Sequence, residues 1–359
     1  MRNNQQDPTA VPPGDMLRLF EELKIGAGKN ETTAFMALLV NYVSDRSVAI
    51  LLRSSTERLE LGSGVCVRIG DRDLVATVKH NLQDDKGAPL KISDLELRPR
   101  GEKYGEALKV QRLGLSPTQD LAWLELDPAS AKRPRLAFVT GDQIAFLDED
   151  SDRQHCLLVG YPAELAETPA TAQHRPLVES IGLLTLSIAP GRRKGPQDYG
   201  TFAIEYLPHD NSLNGILPIP HGVSGGGTWL LPALDKHPIW SPEMARLVGF
   251  ARSWRKDCRE EVVLRIESWL KLVASQIPEV AEEVGRVTLA QLVKRLTNAY
   301  RRRPRLPMQA PGFAQPVVCV GQVRGGIASS QPFNFGARNR KQFIARLSAA
   351  GAGWLFGLG

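Results

Sequence analysis

Leu61-Gly62-Ser63-Gly64-Val65-Cys66-Val67-Arg68-Ile69-Gly70-Asp71-Arg72-Asp73-Leu74-Val75-Ala76-Thr77-Val78-Lys79-His80 holds two apolar, β-branched runs joined by a Gly-Asp turn, the second ending on a histidine. Such runs, bounded by charged or glycine-containing turns, suit a pleated surface better than a helix. The same texture starts at Ser47 with SVAILLRSS and continues through LKISDLELRP, DLAWLELD, QHCLLVGYP, PLVESIGLLTLSIA, YGTFAIEYLP, GTWLL and ARLVGFARSW. Many short strands over about 200 residues, with no helices between them, indicate a sandwich or barrels.

Helical spacing appears only at the two ends. Asp15 precedes MLRLFEELKI, in which Met16, Leu19, Phe20 and Leu23 share a face and Gly26 is a stop. A second helix is expected over about 31–43, through Phe35, Leu38, Leu39, Tyr42 and Val43. In CREEVVLRIESWLKLVASQ, Val262, Ile266, Leu270 and Val273 line one face, which predicts a closing helix over about 260–275. Past Pro278, VTLAQLVKRLTNAYRRR reads as a short basic helix. Residues 304–359 are rich in Gly, Pro and Ala without period. The expected organisation is an extension over 1–46, a β unit over 47–276 with halves at about 47–145 and 152–256, and a basic, largely disordered tail over 277–359.

Composition narrows the class. Of 359 residues, 42% are apolar and 23% charged, an ordinary soluble balance. No apolar run is long enough to span a membrane as a helix. The start, MRNNQQDPTAVPPGD, has no apolar stretch behind a basic cap, so no secretory leader is expected. Cys66, Cys156, Cys258 and Cys319 are scattered, without zinc-ligand spacing. Reduced thiols, a cytoplasmic location, no bound metal and no cofactor are the expectations. Residues 286–359 hold 12 of the 45 Lys and Arg and no Asp or Glu, leaving 33 basic against 39 acidic residues elsewhere. That tail is either a solvated segment or a contact for nucleic acid or anionic surfaces.

Three segments carry chemistry. One β-run ends on His80, Asp120 opens the strand Leu121-Ala122-Trp123-Leu124, and Ser224 lies in the glycine-rich turn Gly222-Val223-Ser224-Gly225-Gly226. A serine hydroxyl becomes nucleophilic when an imidazole takes its proton. A carboxylate orients that imidazole and stabilises its charge. Backbone N–H groups must also meet the developing oxyanion, and glycine at 222 allows the N–H groups of Gly222 and Ser224 to converge.

In this order the segments resemble the chymotrypsin-like serine peptidases over about residues 47–275. Ala76-Thr77-Val78-Lys79-His80 resembles the family's T-A-A-H, Asp120-Leu121-Ala122-Trp123-Leu124 its D-I-A-L-L, and Gly222-Val223-Ser224-Gly225-Gly226 its G-D-S-G-G. Gly62-Ser63-Gly64-Val65 is similar to the segment opening the strand before the histidine. Leu158-Val159-Gly160-Tyr161-Pro162 is similar to a turn of bacterial members, and Leu247-Val248-Gly249-Phe250-Ala251-Arg252-Ser253-Trp254 to the substrate-lining strand. The resemblance implies a mainly β fold: two six-stranded antiparallel barrels with N-terminal helices and a C-terminal helix. It also implies a serine endopeptidase acting on protein or peptide substrates, with His80, Asp120 and Ser224 as triad and the N–H groups of Gly222 and Ser224 as oxyanion hole.

The departures matter as much. Asn81 follows His80 where secreted animal members have a half-cystine, which agrees with a reducing compartment. Val223 stands where members activated by N-terminal cleavage have Asp, so that activation is not expected; local packing or a regulatory partner would order the loop. Lys79 either depresses the imidazole pKa or points to solvent, and solvent is expected. The resemblance sets Pro218 at the base of the primary substrate pocket, His221 at its rim, and Ser253-Trp254-Arg255 along its wall. With Pro218 in place of an acid, selection of Lys or Arg is not expected. Arg255 would narrow the pocket, attract an acidic side chain or point to solvent. The alternative is a non-catalytic, protease-like binding module.

Overall fold

The structure is a computed structural model, described over residues 29–52, 61–100, 107–148, 153–165, 180–196, 198–206, 218–232, 234 and 241–302. Residues 1–301 form one unit and 302–359 another, and the elements below belong to the first. The helix expected from Met16 to Leu23 and the tail beyond 302 lie outside the described residues.

Helix α1 (Lys29–Ser44) leads into a six-stranded antiparallel sheet: β1 (Ser47–Leu52), β2 (Leu61–Ile69), β3 (Arg72–Thr77), β4 (Leu95–Pro99), β5 (Val110–Leu115) and β6 (Ala122–Leu126). Their order is β4-β1-β2-β3-β6-β5, and a bridge between Leu97 and Leu108 joins the edges. A second set closes into a barrel in the order β10-β11-β12-β9-β8-β7. It comprises β7 (His155–Gly160), β8 (Ile181–Ile188), β9 (Thr201–Glu205), β10 (Gly227–Leu230), β11 (Arg246–Arg255) and β12 (Glu260–Arg265). Helices α2 (Ile266–Gln276) and α3 (Ala281–Arg302) follow. The fold is mainly β, with two six-stranded antiparallel sheets, the second fully closed and the first open but for that bridge.

The near-continuous apolar runs are explained by burial on both faces. Successive strand residues point to opposite sides. On β2, Cys66 faces the interior of the first sheet with Val48, Val75 and Leu124, whereas Val65 and Val67 face outward. There they join Leu157, Val159, Trp229 and Leu247 of the second barrel in one cluster. Trp269 of α2 belongs to the same cluster, and its Nε1 donates to the Ala122 carbonyl at 3.0 Å.

Two expectations need correction. The single helix expected over 260–275 begins only at Ile266, because Glu260–Arg265 forms strand β12. Pairing with β11 and β9 buries both of its faces, so tertiary contacts override the helical spacing through Val262. Strand β5 is an addition to the expected runs, since Gln111, Arg112 and Gly114 interrupt its apolar pattern. At the basic helix, Val280, Val284 and Val287 join the central cluster, and Arg295 donates to Glu267 Oε1 at 3.0 Å. The boundary expected at 277 thus falls within a packed segment.

Candidate active site

His80 sits in a 3-10 turn, Lys79–Leu82, directly after β3. Asp120 immediately precedes the segment that becomes β6, and β3 pairs with β6 through Thr77 and Ala122. That register brings the two residues together. His80 N donates to Asp120 Oδ1 at 3.0 Å, and His80 Nδ1 lies 2.7 Å from Oδ2. A carboxylate accepts only, so Nδ1 carries the proton and Nε2 is left as an acceptor. Burial pushes the Asp120 carboxyl up, but the imidazole bond and charge, the His80 N–H and the nearby Arg252 outweigh it and hold the group below its ordinary value.

Ser224 follows Gly222 (φ +89°) and Val223 and precedes Gly225 (φ +83°). Both glycines occupy the left-handed region that other residues avoid. A Cβ at Gly225 would collide with the Ser63 carbonyl as well. The loop is fixed from the first sheet: Ser63 N donates to Ser224 O at 2.8 Å, and Ser63 Oγ donates to Gly222 O at 2.7 Å. Asn81 Nδ2, one residue past His80, donates to Ser224 O at 2.8 Å. The N–H groups of Val223, Gly225 and Gly226 bond to Pro220, Ala251 and Val223 carbonyls. Among the described residues, the N–H groups of Gly222 and Ser224 have no such acceptor. Val223 is buried in the second barrel's core, so apolar packing anchors the loop where an acid would pair with a chain terminus.

Ser224 Oγ donates to the Arg252 carbonyl at 3.2 Å, and no hydrogen bond joins it to His80 among the described residues. Catalytic hydrogen bonds in ligand-free sites are commonly long and tighten only around substrate. Arg252, which is not among the expected site residues, touches both halves of the site. Its Nε lies 3.7 Å from Asp120 Oδ2, and its Nη1 donates to Asp198 Oδ2 at 2.9 Å. Its position beside Ser253-Trp254 was the signal available, but a β-bulge between Ala251 and Ser253 turns it toward Asp120.

The expected pocket residues fall into two groups. Pro218 and Trp254 meet through Tyr206, whose hydroxyl donates to Pro218 O at 2.9 Å and whose ring lies 6.2 Å from that of Trp254. Arg255 turns away to the Pro196 carbonyl, 2.5 Å from Nη1, and to Asp198. Ser253 is exposed, and exposed His221 accepts from Ala163 N at 2.8 Å through its carbonyl. Lys79 is half-buried rather than free in solvent, and its Nζ donates to the Ser116 carbonyl at 3.1 Å. Cys66 and Cys156 are buried thiols pushed well up by burial, and no described cysteine is in a disulfide. Among the described residues no His, Cys, Asp and Glu cluster fits a metal, and no helix is long and apolar enough to cross a membrane.

No protein-family profile and no curated protein matches this chain. Solved structures do. The scabies mite inactivated protease paralogue S-I1 aligns at 16% identity and a TM-score of 0.44, over 67% of this chain and 96% of its own. The thermostable serine protease AL20 from an extremophilic microorganism aligns at 16% identity and a TM-score of 0.39, over 62% of this chain and 92% of its own.

Proposed function

We propose that the chain is a serine endopeptidase. The observation that carries the reading is the doubly hydrogen-bonded His80–Asp120 pair beside a loop in which Ser224 is half-buried and the N–H groups of Gly222 and Ser224 have no carbonyl acceptor among the described residues. In this reading Ser224 Oγ attacks the scissile carbonyl and its proton passes to His80 Nε2. Asp120 holds the imidazole in the required tautomer and stabilises the imidazolium. The N–H groups of Gly222 and Ser224 receive the oxyanion. His80 then protonates the leaving amine, and water releases the acyl group by the same route. The unpaired cysteines suit a reducing compartment such as the cytoplasm.

The bond from Ser224 Oγ to the Arg252 carbonyl favours a second reading, a binding module that keeps the fold without turnover. One experiment separates the two. The enzyme reading expects a fluorophosphonate probe to label wild type and not Ser224→Ala, with proteolysis lost in parallel. A folded wild type that takes no label and cleaves no peptide would leave the binding reading.

A further inference from the structure

Arg252 stops short of the carboxylate it faces. Its Nε lies 3.7 Å from Asp120 Oδ2, beyond hydrogen-bond reach, while its Nη1 donates to Asp198 Oδ2 at 2.9 Å. A guanidinium beside a carboxylate ordinarily closes on it through direct or paired N–H···O bonds. Here Oδ2 is also the atom that His80 Nδ1 meets at 2.7 Å. Imidazole and guanidinium therefore face one oxygen, and Asp198 holds the guanidinium.

Asp198 is placed to restrain an arginine. Its carbonyl accepts from Thr201 N at 3.2 Å and from Thr201 Oγ1 at 2.7 Å, which fixes its backbone at the entry to β9. Gly200 (φ +75°) follows in the same turn, and its carbonyl accepts from Arg265 N at 2.9 Å. A Cβ at Gly200 would lie 3.3 Å from Gln119 Nε2, so the turn abuts the residue before Asp120. Arg255 Nη2 lies 3.5 Å from the same Asp198 Oδ2, and Arg255 Nη1 donates to the Pro196 carbonyl. A second guanidinium thus steadies the acid. Lys79, the cation next to His80 in the chain, is turned to the Ser116 carbonyl instead.

Were Arg252 to close on Oδ2, a cation would sit against the Nδ1–H and draw off the charge that orients the imidazole. Like charges would then face each other once His80 took the Ser224 proton. We propose that Asp198 is a positioning residue for the His80–Asp120 pair: by binding Arg252 it keeps the guanidinium off Asp120 Oδ2 and leaves that oxygen to the imidazole. The effect on hydrolysis rests on the endopeptidase reading; the effect on the pair does not. The loop before β9, which none of the three motif segments contains, gains a part in the site.

Suppression tests this in the full-length protein. Asp198→Asn removes the charge that holds Arg252 and should slow fluorophosphonate labelling of Ser224 by about 10-fold. Asp198→Asn/Arg252→Met, with the cation gone, should recover most of that loss, whereas damage to the loop itself would persist in the double variant. Asp198→Glu, which keeps a carboxylate for Arg252, should label faster than Asp198→Asn. Imidazole nitrogen-15 shifts of His80, assigned against His80→Gln, give a readout independent of turnover. Asp198→Asn is expected to move them away from the Nδ1–H tautomer, and Asp198→Asn/Arg252→Met to return them. Unchanged shifts in Asp198→Asn, or a loss of labelling that the double variant does not recover, would overturn the proposal. Shifts that move and return in a protein whose wild type takes no label would leave Asp198 in its role and remove the endopeptidase reading.

Discussion

At the scale of single residues, His80 owes its orientation to one carboxylate that grips both its backbone N–H and its ring. Asp120→Asn presents an amide that can donate to Nδ1 and so favours the wrong tautomer. The rate of fluorophosphonate labelling should fall roughly 10³- to 10⁴-fold. The carboxyl of Asp120 is held below its ordinary value, so the native state binds its proton less readily than the unfolded chain does. Its contribution to stability is therefore present above the unfolded pKa and lost as pH falls through the folded one. Urea titrations at decreasing acidic pH should show a shallower decline for Asp120→Asn than for wild type. Glu261 has the opposite sign. Burial pushes it up to about 8, so its ionisation weakens the fold as pH rises from the unfolded value toward 8. Glu261→Gln should raise the melting temperature at pH 8 relative to wild type, with the difference shrinking toward pH 4, as differential scanning calorimetry would show.

At the scale of elements, the loop carrying Ser224 depends on Ser63 at the start of β2. The Ser63 hydroxyl donates to Gly222 O and accepts from Tyr161 N at 2.9 Å, so one buried side chain ties three segments together. Ser63→Ala leaves that N–H and that carbonyl unpaired and should cost about 1–3 kcal/mol by urea denaturation. On the endopeptidase reading a greater loss of labelling than of stability is expected, since that reading assigns one of the two oxyanion donors to Gly222. Strand β12 shows how an element can hide from its sequence. Val262 and Ile266 fit a helical face, but Glu260–Arg265 is held extended by partners on both sides.

At the scale of the whole molecule, the cluster between the two sheets positions the site, because His80 and Asp120 leave one sheet and Ser224 the other. Trp269 seals this cluster, buried completely and hydrogen-bonded to the Ala122 carbonyl two residues beyond Asp120. Trp269→Ala should destabilise the protein by about 3–5 kcal/mol. Equilibrium urea unfolding followed by circular dichroism checks it.

The amino-acid order alone carried the mainly β texture and the glycine-rich turn at Ser224, because strand alternation and glycine-rich turns are local properties. Tertiary structure decided what depends on residues far apart in the chain. The bulge brought Arg252 to Asp120. Two strand partners made β12 extended. Glu261, nearly 40 residues past Ser224, came to rest buried between Trp254 and Ile204 in neighbouring strands, a placement fixed by barrel closure and invisible to any local pattern.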